Sequence, residues 1–197
     1  KICQEALKLN NMPTDSIQLV PTSNRDVVGK LITSEKYIDI IIPRGGKSLI
    51  EKITKDAKVP VIKHLDGICH IYVDSFANLD KALNITINSK TQRIATCNTL
   101  ETLLISEKIA KKFLPMVSKC LLEKEIELRV CSKSKNDLGH KKFIDNKKIK
   151  LATTKDWSTE YLAPILSIKI VSDIFDAIKH ITKFGSQHTD TIITENH

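Results

Sequence analysis

With 197 residues the chain can bury a sizeable core, as one large domain or two small ones. Its 41% hydrophobic and 27% charged residues are those of an ordinary globular protein; no apolar run approaches a membrane span, and Lys1 to Lys8 is no signal peptide. A formal charge of +8 invites a nucleic-acid or other polyanion partner, but the lysines are scattered and only 5% of residues are aromatic, so a solvated basic surface that attracts anionic substrates is the better account.

The first apolar pattern, Ile2 to Leu9, has helical spacing and is broken by Asn10, Asn11 and Pro13. Ile17 to Val20 reads as a short strand ended by Pro21. Ser23 or Asn24 can cap a helix running to about Ile32. Tyr37 to Ile42 and Val59 to Ile62 read as buried strands, with a helix from Ser48 to about Lys55 between them. Strands and helices alternating at this pitch predict a parallel α/β sheet. Where the second strand gives way to its helix, Pro43-Arg44-Gly45-Gly46-Lys47 is a Gly-rich turn that could let backbone N–H groups approach a phosphate, although on the residues alone a plain tight turn is the better reading.

Cys69 to Val73 is the next strand, and Asn78 caps a helix from Leu79 to Asn88. Leu100 to Ile105 reads as the following strand. Glu107 to about Lys124 is an amphipathic helix that Pro115 should kink or split. Ile126 to Cys131 is a strand, and the polar stretch from Ser132 to Lys150 a loop or weak helix. Ile165 to Val171 and Thr189 to Thr194 complete the strands, separated by a helix from Asp173 to Lys183 that Gly185 stops.

Five cysteines without Cys-x-x-Cys pairing argue against a disulfide framework or a zinc site and fit a reducing cytosol. Cys97 stands apart from the others. It follows Lys90 and Arg93, whose positive potential favours a thiolate nucleophile, and precedes Asn98, an amide donor beside a prospective oxyanion. A buried, inert cysteine at the lip of a strand is the other reading, and on the residues alone the commoner one.

The segment Asn88-Ser-Lys-Thr-Gln-Arg-Ile-Ala-Thr-Cys97-Asn-Thr-Leu-Glu-Thr-Leu-Leu resembles the active-site segment of the gamma-glutamyl phosphate reductases, a family of the aldehyde dehydrogenase superfamily. Two upstream segments resemble the same family in the same order, Ile41 to Leu49 and Pro60 to Asp74. The likeness extends over essentially the whole chain, which matches only the middle part of such an enzyme. It implies an aldehyde dehydrogenase-like α/β fold: residues 1–64 as the C-terminal part of a Rossmann-type dinucleotide-binding domain, and 65–197 as a catalytic domain incomplete at its C-terminus.

By that resemblance Cys97 is the nucleophile, and Arg44, Gly45 and Gly46 lie beside the cofactor. Glu160, within Trp157 to Pro164, matches the glutamate that accepts from the nicotinamide ribose. Lys90, Arg93 and Asn98 are candidates for gripping the substrate's phosphate or carboxylate. His64 stands where hydrolytic relatives keep a general-base glutamate, which suits a reductase that expels phosphate and does not activate water; a locally satisfied histidine is equally compatible.

The implied activity is reduction of a small-molecule acyl phosphate by NADPH in the cytoplasm, without nucleic acid, membrane or metal, and the resemblance is compatible with a homo-oligomer of the full-length enzyme. Its rivals are a relative acting on another acyl group and a non-enzymatic polyanion-binding module. The start without methionine inside a helical pattern reads as a fragment, for which weak cofactor binding and little turnover are expected.

Overall fold

The computed structural model describes residues 1–62, 66–138 and 146–196, apart from the Lys47 side chain. They fall into two compact units, residues 1–64 and 65–197.

The first unit holds α1 (Ile2–Leu9), α2 (Asp26–Leu31) and α3 (Lys47–Asp56). The Asn24 side chain accepts from the Asp26 N–H at 2.9 Å, as a cap should. Ile32, Ile50, Ile53 and Val59 form a small buried set. Two strand expectations shrink here. Tyr37 to Ile42 and Val59 to Ile62 meet only at a parallel bridge between Ile41 and Val61, through Ile41 N–H to Pro60 O (2.8 Å) and Ile62 N–H to Ile41 O (2.9 Å). Ile17 to Val20 forms no strand, and Leu19 is 89% exposed. An apolar run becomes a strand only where a neighbour takes up its hydrogen bonds.

In the second unit the chain runs β1 (Cys69–Val73), α4 (Leu79–Thr91), β2 (Leu100–Ser106), α5 (Glu107–Glu123), β3 (Glu127–Val130), α6 (Ser132–Asp137), β4 (Ile149–Leu151), β5 (Ile165–Val171), α7 (Ile174–Phe184) and β6 (Asp190–Ile193). The six strands form one sheet in the order β4-β3-β5-β2-β1-β6, and every pairing is parallel. β2 lies inside the sheet and is buried along its whole length, which suits its apolar Leu103-Leu104-Ile105 and also takes Glu101 and Thr102 inside. Alternation along the strands sends Ile71, Val73, Leu103, Ile105, Ile168 and Ile170 into a core shared with α4 and α5. Tyr72, Leu104 and Val171 face the other way, onto Ala177 and Ile181 of α7.

Asn78 caps α4, its side-chain oxygen accepting from Asp80 N–H (3.1 Å) and Lys81 N–H (3.0 Å). The helix runs to Thr91, past the expected end at Asn88. α5 is not split at Pro115. A proline inside a helix costs roughly 3 kcal/mol, but Phe113, Leu114, Val117 and Leu121 beside it are fully buried, each stabilising by roughly 1.5–3 kcal/mol. The polar 132–150 stretch contributes a short helix, α6, in line with the weak helix expected there, and at its end the edge strand β4, which its composition did not announce. Gly185 ends α7 without a left-handed conformation (φ −72°); a Cβ there would lie 2.7 Å from the Ile181 carbonyl oxygen.

Under α7 lies a buried aromatic group. The His180 ring packs edge-on against His70 (centroids 5.7 Å apart) and Trp157 (5.3 Å), and its Nδ1 accepts from Lys169 Nζ at 3.1 Å. Burial, with the positive charge of Lys169 next, pulls the His180 pKa from 6.5 to about 3. The folded protein therefore keeps His180 neutral where the unfolded chain protonates it. Stability is expected to fall as pH drops from about 6.5 towards 3, with a slope approaching one proton from this residue. Urea unfolding between pH 7 and 4 should show that slope, and His180→Leu should flatten it; an unchanged slope in the variant would assign it elsewhere.

Candidate active site

Because the sheet is parallel, the loops leading into β1, β2, β5 and β6 all open at one edge. Those loops carry Gly67, Cys97, Glu160 and His188. The usual rule for open α/β sheets puts ligands at the carboxyl ends of the strands; here the chemistry-bearing residues gather at the amino ends.

Cys97 is exposed in the turn between α4 and β2. That turn closes through Thr99 N–H to the Thr96 carbonyl (3.0 Å), which leaves the N–H groups of its two central residues, Cys97 and Asn98, unused by its own bond. They are the natural donors to an oxyanion on a group attached to Cys97. Thr99 braces the loop from beneath: its buried hydroxyl donates to the Arg93 carbonyl (2.6 Å) and lies 2.9 Å from the Thr96 hydroxyl.

The loop before β1 presses on the same turn. A Cβ at Gly67 would overlap the Cys97 carbonyl oxygen, so only glycine permits this approach. Cys69 Sγ donates to that carbonyl at 3.2 Å, and burial pushes its thiol up to about 11, which keeps the proton needed for the bond. Ile68 N–H donates to Ser186 Oγ (2.9 Å), and His188 Nδ1 lies 3.8 Å from Cys69 Sγ.

The half-buried Glu160 accepts from Gly67 N–H through Oε1 at 2.9 Å. Its loop is anchored on both sides. Asp156 accepts from Thr153 N–H and Oγ1 (2.7 Å each) and from Tyr161 Oη (2.8 Å), and these donors hold its carboxyl below the usual range against the opposing effect of burial. On the other side, Leu162 N–H donates to Glu101 Oε1 at 3.3 Å.

Of the residues singled out in the sequence, the second unit brings Cys97, Arg93, Asn98 and Glu160 to this edge, with Arg93 and Asn98 exposed on the cysteine loop. Lys90 needs correction. Its side chain is 0% exposed, and its Nζ lies 2.7 Å from Glu101 Oε2, so it is neither a free cation beside Cys97 nor a hand for substrate phosphate. Arg44, Gly45 and Gly46 are exposed in the first unit, where Gly45 has φ +150°, and Gly46 caps α3. His64 lies outside the described residues.

Gly67, Cys69, Glu101 and His188 were not assigned to the site from sequence. Only Glu101 carried a legible signal: a carboxylate inside an apolar run requires a buried partner. Among the described residues no group of three or more His, Cys, Asp and Glu side chains is placed to hold a metal, and no helix is long and apolar enough to cross a membrane.

The second unit is thus a parallel α/β sheet that offers an exposed cysteine at one edge, with a carboxylate on the adjoining loop. The family model described as the aldehyde dehydrogenase family matches residues 1–139, and the chain belongs to that family. Among solved structures it is similar to the gamma-glutamyl phosphate reductase of Thermotoga maritima, at 41% identity and a TM-score of 0.89, over 98% of this chain and 45% of that one. It shares its fold, at 21% identity and TM-score 0.67, with an acetylating aldehyde dehydrogenase from Geobacillus thermoglucosidasius, over 98% of this chain and 49% of that one. The glyceraldehyde-3-phosphate dehydrogenase GapN of Methanocaldococcus jannaschii, solved with NADP, matches at 20% identity and TM-score 0.67 over 98% and 49%. The chain thus spans about half the length of the proteins it matches.

Proposed function

We propose that this chain is the central part of a cytoplasmic reductase that converts gamma-glutamyl phosphate to glutamate 5-semialdehyde with NADPH, releasing phosphate, as a step of proline biosynthesis. The observation that carries the reading is the exposed Cys97 turn, with its two unused N–H groups, in a chain 41% identical to a gamma-glutamyl phosphate reductase.

The Cys97 thiolate attacks the acyl carbon, forming a C–S bond and pushing the carbonyl electrons onto oxygen. The N–H groups of Cys97 and Asn98 hold that oxyanion. As the carbonyl re-forms, the C–O bond to phosphate breaks and phosphate leaves with the electron pair, aided by the charge of Arg93. The nicotinamide cofactor supplies, when bound, the hydride that reduces the resulting thioester. The same two N–H groups then stabilise the thiohemiacetal oxyanion, whose collapse breaks the C–S bond, frees the aldehyde and restores the thiolate.

The residues suit such a cofactor. In the first unit a cavity of about 890 Å³ includes Gly46 and Ser48 at the N-terminus of α3, where backbone N–H groups favour a phosphate, while its charged lining is balanced, Arg25 and Lys52 against Asp26 and Asp56. In the second unit Glu160 offers a carboxylate able to accept from two ribose hydroxyls.

The test is a full-length protein carrying this segment, run in the oxidative direction with semialdehyde, phosphate and NADP. Nicotinamide absorbance should rise only when phosphate is present. A rise independent of phosphate would replace acyl phosphate formation with hydrolysis and overturn the reading.

A further inference from the structure

Where β1 meets β2 the register runs Cys69 with Leu100 and then His70 with Thr102, so Glu101 is an extra residue opposite nothing. Such a bulge re-aims a side chain, and here it turns a carboxylate beneath the nucleophile's loop. Glu101 and Lys90 are buried together, 1% and 0% exposed at their side chains, with Nζ and Oε2 2.7 Å apart. Residues 91–100 are therefore a loop closed at its base by an ion pair, with Cys97 in its outer turn. The second carboxylate oxygen reaches away from that loop to the N–H of Leu162, two residues beyond Glu160 and in a left-handed conformation (φ +50°). One carboxylate thus fastens both the loop of the nucleophile and the loop of the Glu160 carboxylate.

Burial pushes Lys90 down and Glu101 up from their ordinary values, each being drawn back by its partner's charge. A buried pair of this kind is weak evidence for stability, because two well-packed apolar side chains would often serve as well. What hydrocarbon cannot do is bond the Lys90 ammonium and the Leu162 N–H at once, in fixed directions.

We infer that Lys90 and Glu101 are positioning residues for the reaction proposed above: through this pair the Cys97 turn is set against the Glu160 loop. The inference rests on that reading for its substrate, but not for its geometry.

The test uses a full-length reductase carrying this segment, with Glu101→Gln and the apolar double variant Lys90→Leu/Glu101→Leu. Three quantities are measured: kcat with separate KM values for acyl phosphate and cofactor, thermal midpoint, and the rate at which iodoacetamide alkylates Cys97, followed by peptide mass spectrometry. Both variants should lose about tenfold or more in kcat, as expected when reacting groups are displaced by a fraction of an ångström to an ångström. The cofactor KM should rise more than the acyl phosphate KM, and the alkylation rate should change. The double variant should keep a thermal midpoint near that of the parent while remaining slow, which a purely structural pair would not do. Wild-type kcat and alkylation rate in either variant would overturn the inference, and so would a double variant that fails to fold. If the parent shows no acyl phosphate reduction, the proposed function fails on its own, while the alkylation rates still decide whether the pair sets the Cys97 turn.

Discussion

Replacing Cys97 by alanine is expected to lower reductase turnover by roughly 10⁴-fold or more, the scale seen when a nucleophile acting as a unit with its surroundings is removed. The fold should hardly notice. Cys97 is exposed, and the contacts that shape its turn are made by its carbonyl oxygen, by Thr96 and by Thr99, none of which the substitution touches. An exposed substitution of this kind stays within about 0.5 kcal/mol of the parent. Turnover of a full-length enzyme, paired with its urea unfolding midpoint, makes the check; ordinary turnover in the alanine variant would remove Cys97 from the chemistry. Among the cysteines, alkylation should reach Cys97 before Cys69, which is buried and held as a thiol by its environment.

Gly67→Ala should also be damaging, though about a hundredfold less so, and Gly67 contributes no reacting atom. Its new Cβ would overlap the Cys97 carbonyl oxygen and come within 2.8 Å of Glu160 Oε1. Relief by moving the Gly67 segment is resisted, because Ile68 N–H is tied to Ser186 Oγ and the chain continues at once into buried β1. The Cys97 turn must yield instead. A displacement of about 1 Å is worth roughly 10²-fold in rate, and that is the expected loss in kcat. A circular dichroism spectrum like the parent's, together with an altered alkylation rate at Cys97, would locate the damage in the turn; unchanged kinetics would mean that the β1 segment moves freely.

The second unit was largely legible in the amino-acid sequence because its elements carry strong periodic signals. β1 and β5 are mostly apolar runs, β3 alternates apolar with charged residues, and α4 and α7 begin at Asn78 and Asp173, whose side chains accept from the first-turn N–H groups. The first unit was legible as helices but not as strands: pairing is a property of two segments, and one segment's composition does not reveal whether its partner is beside it. The site divides in the same way. Cys97 and Glu160 were candidates by resemblance, whereas Gly67 and Cys69 contribute a close approach to a backbone carbonyl and a thiol donor, which no single residue type announces; Glu101 signalled a buried partner but not the bulge that aims it. Lys90 was misjudged for a related reason. A lysine near a cysteine in sequence looks like a neighbouring charge, but a helix extending three residues past its expected end carried it into the interior, onto Glu101.

Gly67, Cys97, Glu160 and His188 gather at the edge where the chain runs into its strands, so the opposite edge of this sheet lies a full strand length away from them. β5 ends there at Val171, next to the exposed Ser172. At about 3.3 Å per residue, the seven residues of β5 separate that point from the reactive edge by roughly 20 Å. A dye or surface tether belongs on that far side, attached through an azide-bearing residue at position 172 in place of a thiol that would compete with Cys97 for the reagent. Attached there, the second unit's sheet would hold its Cys97 edge away from the support.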